Sequence, residues 1–355
     1  MSTVSTLVRT QASLVADRGG SSVLLLGLTT LLIVSLVVSL TLGNYPLSLQ
    51  DIASVLQHSL FSTGEMQPDR YQLVKNILFD IRAPRLIAAA LIGAALSTSG
   101  AAFQSMFVNP LVAPGILGVL PGASFGAALG MLVCDSWIEV QFLSFAGGML
   151  AVGFAVFLAK IYKGDRLMML ILGGIISGAF FTSLLSVVKY TADPTDQLPA
   201  IVYWLMGGLS MVDTETVAYT SIPILIGITC ILGMSRYLNA LSMGDEEAKS
   251  LGINVKVVRT CLIIFATVIS ALTVAIGGLI GWVGLVIPHI GRMLVGPNNA
   301  ILLPTTALIG ATYLVFVDDV SRLLLDVEIP LGIITSLVGI PFFSIIMKNA
   351  KQGWK

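Results

Sequence analysis

A polar segment in the middle of the chain holds the densest group of side chains that could do chemistry. It runs from Ser235 to Arg259, reads SRYLNALSMGDEEAKSLGINVKVVR, and lies in otherwise apolar sequence. Its charged members are Arg236, Asp245, Glu246, Glu247, Lys249, Lys256 and Arg259. A chain that keeps few charges and clusters them here is expected to offer the segment to a soluble partner. Recognition, rather than catalysis, is therefore the first function that the sequence indicates.

The polar segment predicts a short helix that ends in a turn. Ser242 and Asp245 fit a loose capping pattern, and the acids at 245–247 fall in the first turn, where the helix dipole favours anions. Lys249 falls in the last turn, and Gly252 follows as a natural stop. The alternative interpretation of the same residues is an ordinary solvated loop.

Common catalytic patterns are missing from the sequence. No lysine follows a glycine, so the chain lacks the GK pair of a P-loop and is not expected to hydrolyse ATP in that manner. Cys134, Cys230 and Cys261 lie far apart without CxxC spacing, and there are only two histidines. We therefore expect no enzyme activity, no bound metal and no cofactor in this chain.

The composition indicates that lipid surrounds most of the chain. Hydrophobic residues make up 56% of the sequence and charged residues 11%, whereas soluble domains carry about 25% charged residues. A single water-facing fold could not bury that much apolar surface. The net charge is zero, so no general affinity for nucleic acid is expected.

Apolar runs bounded by polar residues, proline or glycine predict an all-α, polytopic membrane protein with about ten transmembrane helices. The predicted spans lie near residues 22–42, 84–106, 114–134, 140–160, 167–189, 216–235, 256–277, 281–296, 301–317 and 330–348. A further apolar piece, 199–209, is too short to span and is predicted to be a re-entrant or interfacial helix.

Charge bias orients these spans across the membrane. With the amino terminus inside, most of the 19 basic residues fall on the cytosolic side and most of the 19 acidic residues on the outer side. We expect a cytosolic segment at 1–21, a single transmembrane domain at 22–348 and a cytosolic tail at 349–355. The polar segment then forms a cytosolic loop at about 236–256.

Taken together, these features favour a protein that lines a transport pathway and draws its energy from a partner. A secondary transporter is one alternative, although the spans lack the ionisable residues that serve as proton relays. The nearest such residues, Asp318 and Asp319, fall at the predicted outer end of a span. A passive channel or structural membrane protein is the other alternative, and it leaves the acidic loop without a purpose.

A series of short motifs runs in order along the chain. They are Arg82-Ala-Pro-Arg85, Gly100-Ala-Ala-Phe-Gln104, Asn109-Pro-Leu-Val-Ala-Pro114, Leu117-Gly118-Val119, Trp204-Leu-Met-Gly207, Gly244-Asp245 with Ala248 and Leu251-Gly252, Gly281-Trp-Val-Gly-Leu-Val-Ile-Pro-His-Ile-Gly-Arg292, Asp318 with Arg322, Glu328-Ile-Pro-Leu-Gly332 and Gly339-Ile-Pro-Phe-Phe343. Through them the chain resembles the FecCD-type permeases, the membrane subunits of type II ABC importers for iron chelates and vitamin B12. The resemblance extends from about Gly43 to Phe343.

The resemblance implies ten transmembrane helices per subunit, in agreement with the number of predicted spans. It also implies four kinds of partner: a second permease subunit that is identical or paralogous, two cytosolic ABC ATPase subunits that bind ATP, a periplasmic or tethered substrate-binding protein, and the lipid of a bacterial inner membrane. The chain itself would supply the permease and no ATPase site.

Three groups of site residues follow from the matched motifs. The residues implied to couple the chain to the ATPase are Gly244, Asp245, Glu247, Ala248, Leu251 and Gly252. The residues implied to dock the binding protein are Arg82, Arg85 and Arg322. The residues implied to close the inner mouth of the pathway are Asn109, Pro110 and Leu111.

Each of the last two groups has an alternative interpretation. Guanidinium–carboxylate pairs suit oriented, reversible docking, but arginines at helix ends also snorkel to the interface. A Pro-stiffened turn between two helices would equally account for Asn109-Pro-Leu111.

The chain departs from the family pattern at several positions. They are Val108 before Asn-Pro-Leu, Asp245 in place of Glu, Trp282 in place of Phe, and Leu167-Met-Met169 where some relatives carry small polar gate residues. The inner gate near 167–169 is therefore not assigned. The expected function is ATP-driven import, by alternating access, of a ferric siderophore or similar metal chelate, with haem, cobalamin and molybdate as alternative cargoes.

Overall fold

The computed structural model describes residues 2–43, 45–61, 67–162, 164 and 166–350. These residues form α-helices joined by turns and contain no β-strand. The helices are α1 (Ser2–Thr41), α2 (Leu49–Phe61), α3 (Pro68–Asn76), α4 (Ala83–Met106), α5 (Val119–Val133), α6 (Trp137–Ile161), α7 (Arg166–Thr191), α8 (Gln197–Leu205), α9 (Thr214–Gly233), α10 (Ser235–Leu241), α11 (Asp245–Ser250), α12 (Val255–Gly277), α13 (Val283–Val295), α14 (Asn299–Leu323) and α15 (Leu331–Ala350).

The helices confirm the all-α membrane fold and agree with the prediction of about ten spans. Within the described ranges, seven helical stretches are long and apolar enough to cross a bilayer. Three shorter apolar helices, Val119–Val133, Val283–Val295 and Leu331–Ile345, occupy the other predicted positions. The predicted piece at 199–209 is also helical, as the short α8.

Helix α4 lies at the centre of the molecule because it is lined with small residues. A Cβ atom on Gly93 would lie 2.1 Å from the carbonyl oxygen of Gly310 in α14. A Cβ atom on Gly100 would lie 1.9 Å from the carbonyl oxygen of Gly284 in α13. Such stripes let helix backbones approach closely where lipid provides no hydrophobic drive for association. Helix α4 is accordingly buried by α9, α12, α13 and α14.

The second group of helices is α5, α6 and α7, and a stripe of glycines in α5 lets it pack closely on α6. Cβ atoms on Gly122 and Gly126 would lie 2.4 and 2.0 Å from backbone oxygens of α6. Helix α1 is peripheral by contrast: only 6% of its apolar window is buried, and it packs mainly on α14.

Two features of the fold were not predicted. Helices α2 and α3 form a hairpin before α4, with a small core of Leu47, Ile52, Val55, Val74 and Leu78. A π-helical turn also joins α3 to α4, so the helix of the predicted second span (84–106) continues a longer helical stretch, Pro68–Met106.

Interrupted helices meet at one place in the molecule. The backbone between α8 and α9, between α12 and α13, and before α15 is not helical. These stretches bond to each other: the Gly208 amide donates to the Gly277 carbonyl at 2.9 Å, and the Leu331 amide to the Gly207 carbonyl at 2.9 Å. Irregular backbone survives at membrane depth only when its polar groups are satisfied in this way. We call this meeting point, residues 206–208, 277–282 and 330–332, the backbone junction.

Candidate functional site

The π-helical turn Ile77–Arg82 orients the arginines of the docking motif. Pro84, in the first turn of α4, has no amide hydrogen, so it cannot donate to a carbonyl of the preceding turn. The hydroxyl of Thr214 instead donates to the Phe79 carbonyl at 3.3 Å. A π turn holds an extra residue, which rotates α4 relative to α3. As a result Arg82 and Arg85 both point inward and are 5% and 7% exposed.

Arg85 is held by two carboxylates at once. Its Nε atom donates to Asp318 at 2.9 Å, and its two Nη atoms donate to the two oxygens of Glu328 at 2.8 and 2.9 Å. Asp318 is fully buried, and a second cation, Arg322, lies 3.0 Å from it. Forked pairs of this kind are strong because each guanidinium proton meets a charged acceptor.

The rest of this group ties the end of α1 to the same point. Arg82 donates to the carbonyls of Leu40 and Tyr45, and Arg322 also pairs with Asp319, which accepts a hydrogen bond from Ser39. Arg85 and Arg322 thus pair with three carboxylates, while Arg82 is held beside them by backbone carbonyls, and we call these six residues the ion cluster. They are Arg82, Arg85, Arg322, Asp318, Asp319 and Glu328.

The structure brings the three predicted docking arginines together, but it does not present them free. Each guanidinium already has partners inside the subunit, and the Arg322 side chain is only 10% exposed. The snorkelling alternative does not describe them either, because they point into the protein. The sequence analysis missed the role of Asp318 and Glu328 as partners, although the i,i+4 spacing of Asp318 and Arg322 was a signal for one pair.

The ATPase-coupling residues surround α11, which is tied to α12 by a forked ion pair. The Nη1 atom of Arg259 lies 2.7 Å from one oxygen of Asp245, and its Nη2 atom lies 2.5 Å from the other. Asp245 is therefore a structural partner of α12 in addition to its predicted contact role. Ala248 is the fully buried residue of α11, and it anchors the helix to the protein beneath it.

Both ends of α11 are set by glycine. The Gly252 amide donates to the Lys249 carbonyl and the Ile253 amide to the Ala248 carbonyl, at 2.9 and 3.1 Å. With Gly252 at φ +77°, this is a Schellman ending, and it confirms the predicted stop. The predicted Ser242 cap is wrong: Gly244, at φ +119°, precedes the helix.

The reason for the failed cap is a competing hydrogen bond. The Ser242 hydroxyl donates to the Leu238 carbonyl at 2.8 Å in the preceding helix, α10, so it does not reach the amides of α11. The polar segment accordingly contains two complete helices, α10 and α11, where one short helix ending in a turn was expected.

The coupling segment offers an apolar contact surface with fixed charges beside it. Met243 and Leu251, on either side of α11, are 66% and 63% exposed. Lys249 donates to Glu246 at 2.7 Å on the helix surface, and this hydrogen bond raises the pKa of Lys249 above its usual value. Exposed apolar side chains next to charged ones are typical of protein contact sites.

The predicted gate residues form a tight turn after α4. The Asn109 side chain accepts from the Leu111 amide at 2.9 Å, and the Asn109 amide donates to the Gln104 carbonyl at 3.1 Å. Val108 takes a left-handed conformation, φ +48°, which is uncommon for a β-branched residue. The structure therefore contains the stiff turn of the alternative interpretation, with Val108 and Leu111 more than half exposed on it.

The chain then folds back to the middle of α7. A Cβ atom on Gly174 would lie 2.1 Å from the Ile116 carbonyl, so the loop before α5 packs directly on the α7 backbone. Beyond it lies a cavity of about 860 Å³. It is lined by α5, α7, α8, α15 and the backbone junction.

The wall of this cavity is apolar and uncharged. Among the described residues that line it, none is ionisable. Its three hydroxyl groups, on Ser124, Thr182 and Ser336, each donate to a carbonyl one turn earlier, at 2.8, 2.8 and 2.6 Å. The cavity can therefore enclose a bulky molecule without binding it through ion pairs. The sequence analysis did not locate it, because it lies between helices that are far apart along the chain.

We predict that Arg85→Met strongly destabilises the protein. It leaves the buried Asp318 and the neighbouring Glu328 without their main cation, and breaking a buried pair costs about 3–5 kcal/mol of the free energy of unfolding. Arg70→Met is the matched control, because the Arg70 side chain is 58% exposed in its pair with Asp51 and such pairs contribute less than about 1 kcal/mol. Thermal unfolding in detergent measures both, and equal melting temperatures would contradict a structural role for the ion cluster.

Known proteins are similar to this chain in sequence and in fold over most of the chain's length. The model of the FecCD transport family matches residues 31–349. The molybdate import system permease protein of Haemophilus influenzae is 40% identical over 332 residues, which are 93% of this chain and 96% of that protein. A probable iron chelatin transport system permease protein of Helicobacter pylori is 36% identical over 307 residues, or 86% of this chain and 92% of that protein.

A solved structure agrees with these relatives. A metal-chelate type ABC transporter in an inward-facing conformation superposes with a TM-score of 0.81 at 38% identity, covering 92% of this chain and 98% of that one. The family model covers nearly the whole chain, and the relatives and the solved structure match it over nearly their full lengths. The chain therefore belongs to the FecCD transport family.

Proposed function

We propose that this protein is the permease subunit of an ABC importer that moves a large metal chelate, such as a ferric siderophore, through the bacterial inner membrane. The observation that carries the proposal is the uncharged cavity of about 860 Å³ between α5, α7, α8 and α15. A wall without ionisable side chains lets a bulky cargo pass without being trapped. Selectivity then resides mainly in the substrate-binding protein.

Molybdate is the second candidate cargo. The observation in its favour is the 40% identity to the molybdate permease protein of Haemophilus influenzae. A small oxyanion would meet no cation in the cavity wall, so it too would need a partner to deliver it. Haem and cobalamin are further members of the same class of cargo.

The transport proposal is tested by reconstitution in liposomes with the co-purified ATPase and binding protein. We expect ATP-dependent uptake of one cargo from a panel of ferric siderophore, haem, cobalamin and molybdate. Uptake of molybdate alone would replace the chelate proposal by the second candidate. Uptake that proceeds without any ATPase would show a channel or a secondary transporter instead.

We further propose that α11 and its flanking residues 243–252 receive the motion of the ATPase. Exposed Met243 and Leu251 would enter a groove on the ATPase, with Glu247 as a polar contact beside them. The Asp245–Arg259 fork would then pass the displacement of α11 on to α12. In the same scheme Asn109, Pro110 and Leu111 close the inner mouth of the pathway.

A charge exchange tests the fork. We expect Asp245→Arg and Arg259→Asp each to reduce coupled uptake by at least about tenfold, because each places two like charges at a contact of a few ångströms. The double variant restores an opposite pair and should recover much of the uptake. ATP hydrolysis by the co-purified ATPase is measured alongside. If both single variants transport normally, α11 moves α12 by some other contact.

We propose that the substrate-binding protein docks at the ion cluster by replacing one carboxylate partner of Arg85 with its own. Glu328 is its most exposed carboxylate, with a side chain 39% exposed, and it occupies both Nη atoms of Arg85. An acidic residue of the binding protein would displace Glu328 and take over Arg85. Arg82 and Arg322 keep the site positive while the exchange takes place.

Glu328→Gln is expected to strengthen docking by several-fold, because the neutral amide competes less well for Arg85. Glu139→Gln is the matched control, since Glu139 is an exposed acid that belongs to no part of the ion cluster. Surface plasmon resonance with the binding protein measures both affinities. Weaker docking by Glu328→Gln, or an equal gain from Glu139→Gln, would contradict exchange at Arg85.

A further inference from the structure

A second cavity, separate from the transport cavity, opens between α6, α7 and α12. Its volume is about 480 Å³, and most of its wall is apolar, including Val152, Val156, Leu170 and Ile263. Three basic side chains also line it: Lys160, Lys256 and Arg259. We call this cavity the basic crevice.

The charges are confined to one end of the basic crevice. Lys160 lies in the last turn of α6, and Lys256 and Arg259 lie in the first two turns of α12. Positive-inside bias assigns this end to the cytosolic side. Further along α12 the lining becomes Ile263, Ile264 and Thr267.

The depth of the crevice matches one leaflet of a bilayer. From Lys256 to Thr267 the helix rises by about 16 Å at about 1.5 Å per residue. The hydrocarbon core of a bilayer is about 30 Å thick, so one leaflet is about 15 Å. The basic residues therefore lie at the level of the lipid headgroups, and the apolar wall spans the level of the acyl chains.

At the basic end of the crevice, two of the three cations form no ion pair with a described residue and can bind a ligand. Within the described residues, Asp245 neutralises Arg259, while neither Lys160 nor Lys256 forms an ion pair. Arg259 is 8% exposed, and both of its Nη atoms donate to Asp245. Its Nε atom is buried and has no hydrogen-bond acceptor among the described residues. A buried residue with an unsatisfied donor and two cations without ion pairs among the described residues line the same crevice, and an anionic oxygen is the ligand that suits them.

From this geometry we infer that the basic crevice binds an anionic phospholipid of the cytosolic leaflet. One acyl chain lies between α6, α7 and α12, and the phosphate lies among Lys160, Lys256 and the Nε atom of Arg259. Basic pockets between transmembrane helices on the cytosolic side are known to hold anionic headgroups. The site does not depend on the transported cargo.

Gly153 offers a way to fill the crevice without disturbing the fold. It lines the crevice, and a Cβ atom there would meet no other atom within 4 Å. Gly27, in the lipid-facing helix α1, has equally open surroundings and lies outside the crevice. Gly153→Leu and Gly27→Leu are therefore a matched pair of variants.

The test is native mass spectrometry of the full-length chain in detergent, titrated with phosphatidylglycerol or phosphatidylcholine. We expect the unmodified protein to bind phosphatidylglycerol about thirtyfold more tightly than phosphatidylcholine, which corresponds to about 1 kcal/mol for each of the two lysines. Lys160→Gln with Lys256→Gln should remove most of that preference, whereas Lys75→Gln with Lys189→Gln, which changes two lysines outside the crevice, should keep it. Gly153→Leu should weaken binding of phosphatidylglycerol, and Gly27→Leu should not.

Three results would overturn the inference. The first is a phosphatidylglycerol preference that survives in the Lys160, Lys256 double variant, and the second is unchanged binding in Gly153→Leu. The third is displacement of the lipid by millimolar inorganic phosphate, which would indicate an anion site without an acyl chain. Because Gly153→Leu keeps all the charges, it tests the crevice even where the lysine variant is poorly folded.

Discussion

The constraint on which this structure depends is the cost of an unpaired backbone group in lipid. Each such group costs several kcal/mol, because no water is present to bond to it. This chain nevertheless interrupts its helices at 206–208, 277–282 and 330–332, and it does so where the three interruptions can bond to one another. The large uncharged cavity exists beside that junction because non-helical backbone, rather than a close-packed helix, forms part of its wall.

The ion cluster offsets a related cost, that of burying a charged side chain, at another place in the fold. Asp318 is fully buried at the end of α14, and a lone carboxylate there would be costly. Arg85 and Arg322 pair with the three carboxylates, and the hydrogen bonds of the ion cluster join α1, α4, α14 and the segment before α15. The same group fastens the peripheral helix α1 to the bundle.

Local patterns in the sequence predicted the apolar helices and the end of α11 at Gly252, because each depends on neighbouring residues. They did not predict features that depend on distant residues. The π turn before Arg85 relies on the Thr214 hydroxyl, and Arg85 meets partners 233 and 243 residues away. The Ser242 cap failed for a local reason, since a serine hydroxyl can choose the carbonyl behind it over the amides ahead. The predicted contacts with an ATPase and a binding protein stay predictions.

In the proposed coupling, the Asp245–Arg259 fork would make α12 act as a lever. The fork joins α11 to α12 near the beginning of α12. At the other end of α12, the Gly277 carbonyl accepts a hydrogen bond from the Gly208 amide of the backbone junction. The two points are about 27 Å apart along the helix axis, so a tilt of about 5° at the fork displaces the far end by about 2 Å. A displacement of that size is enough to break the hydrogen bond at Gly277. If the proposed coupling holds, a small displacement of α11 would reach the wall of the cavity through one rigid helix, α12.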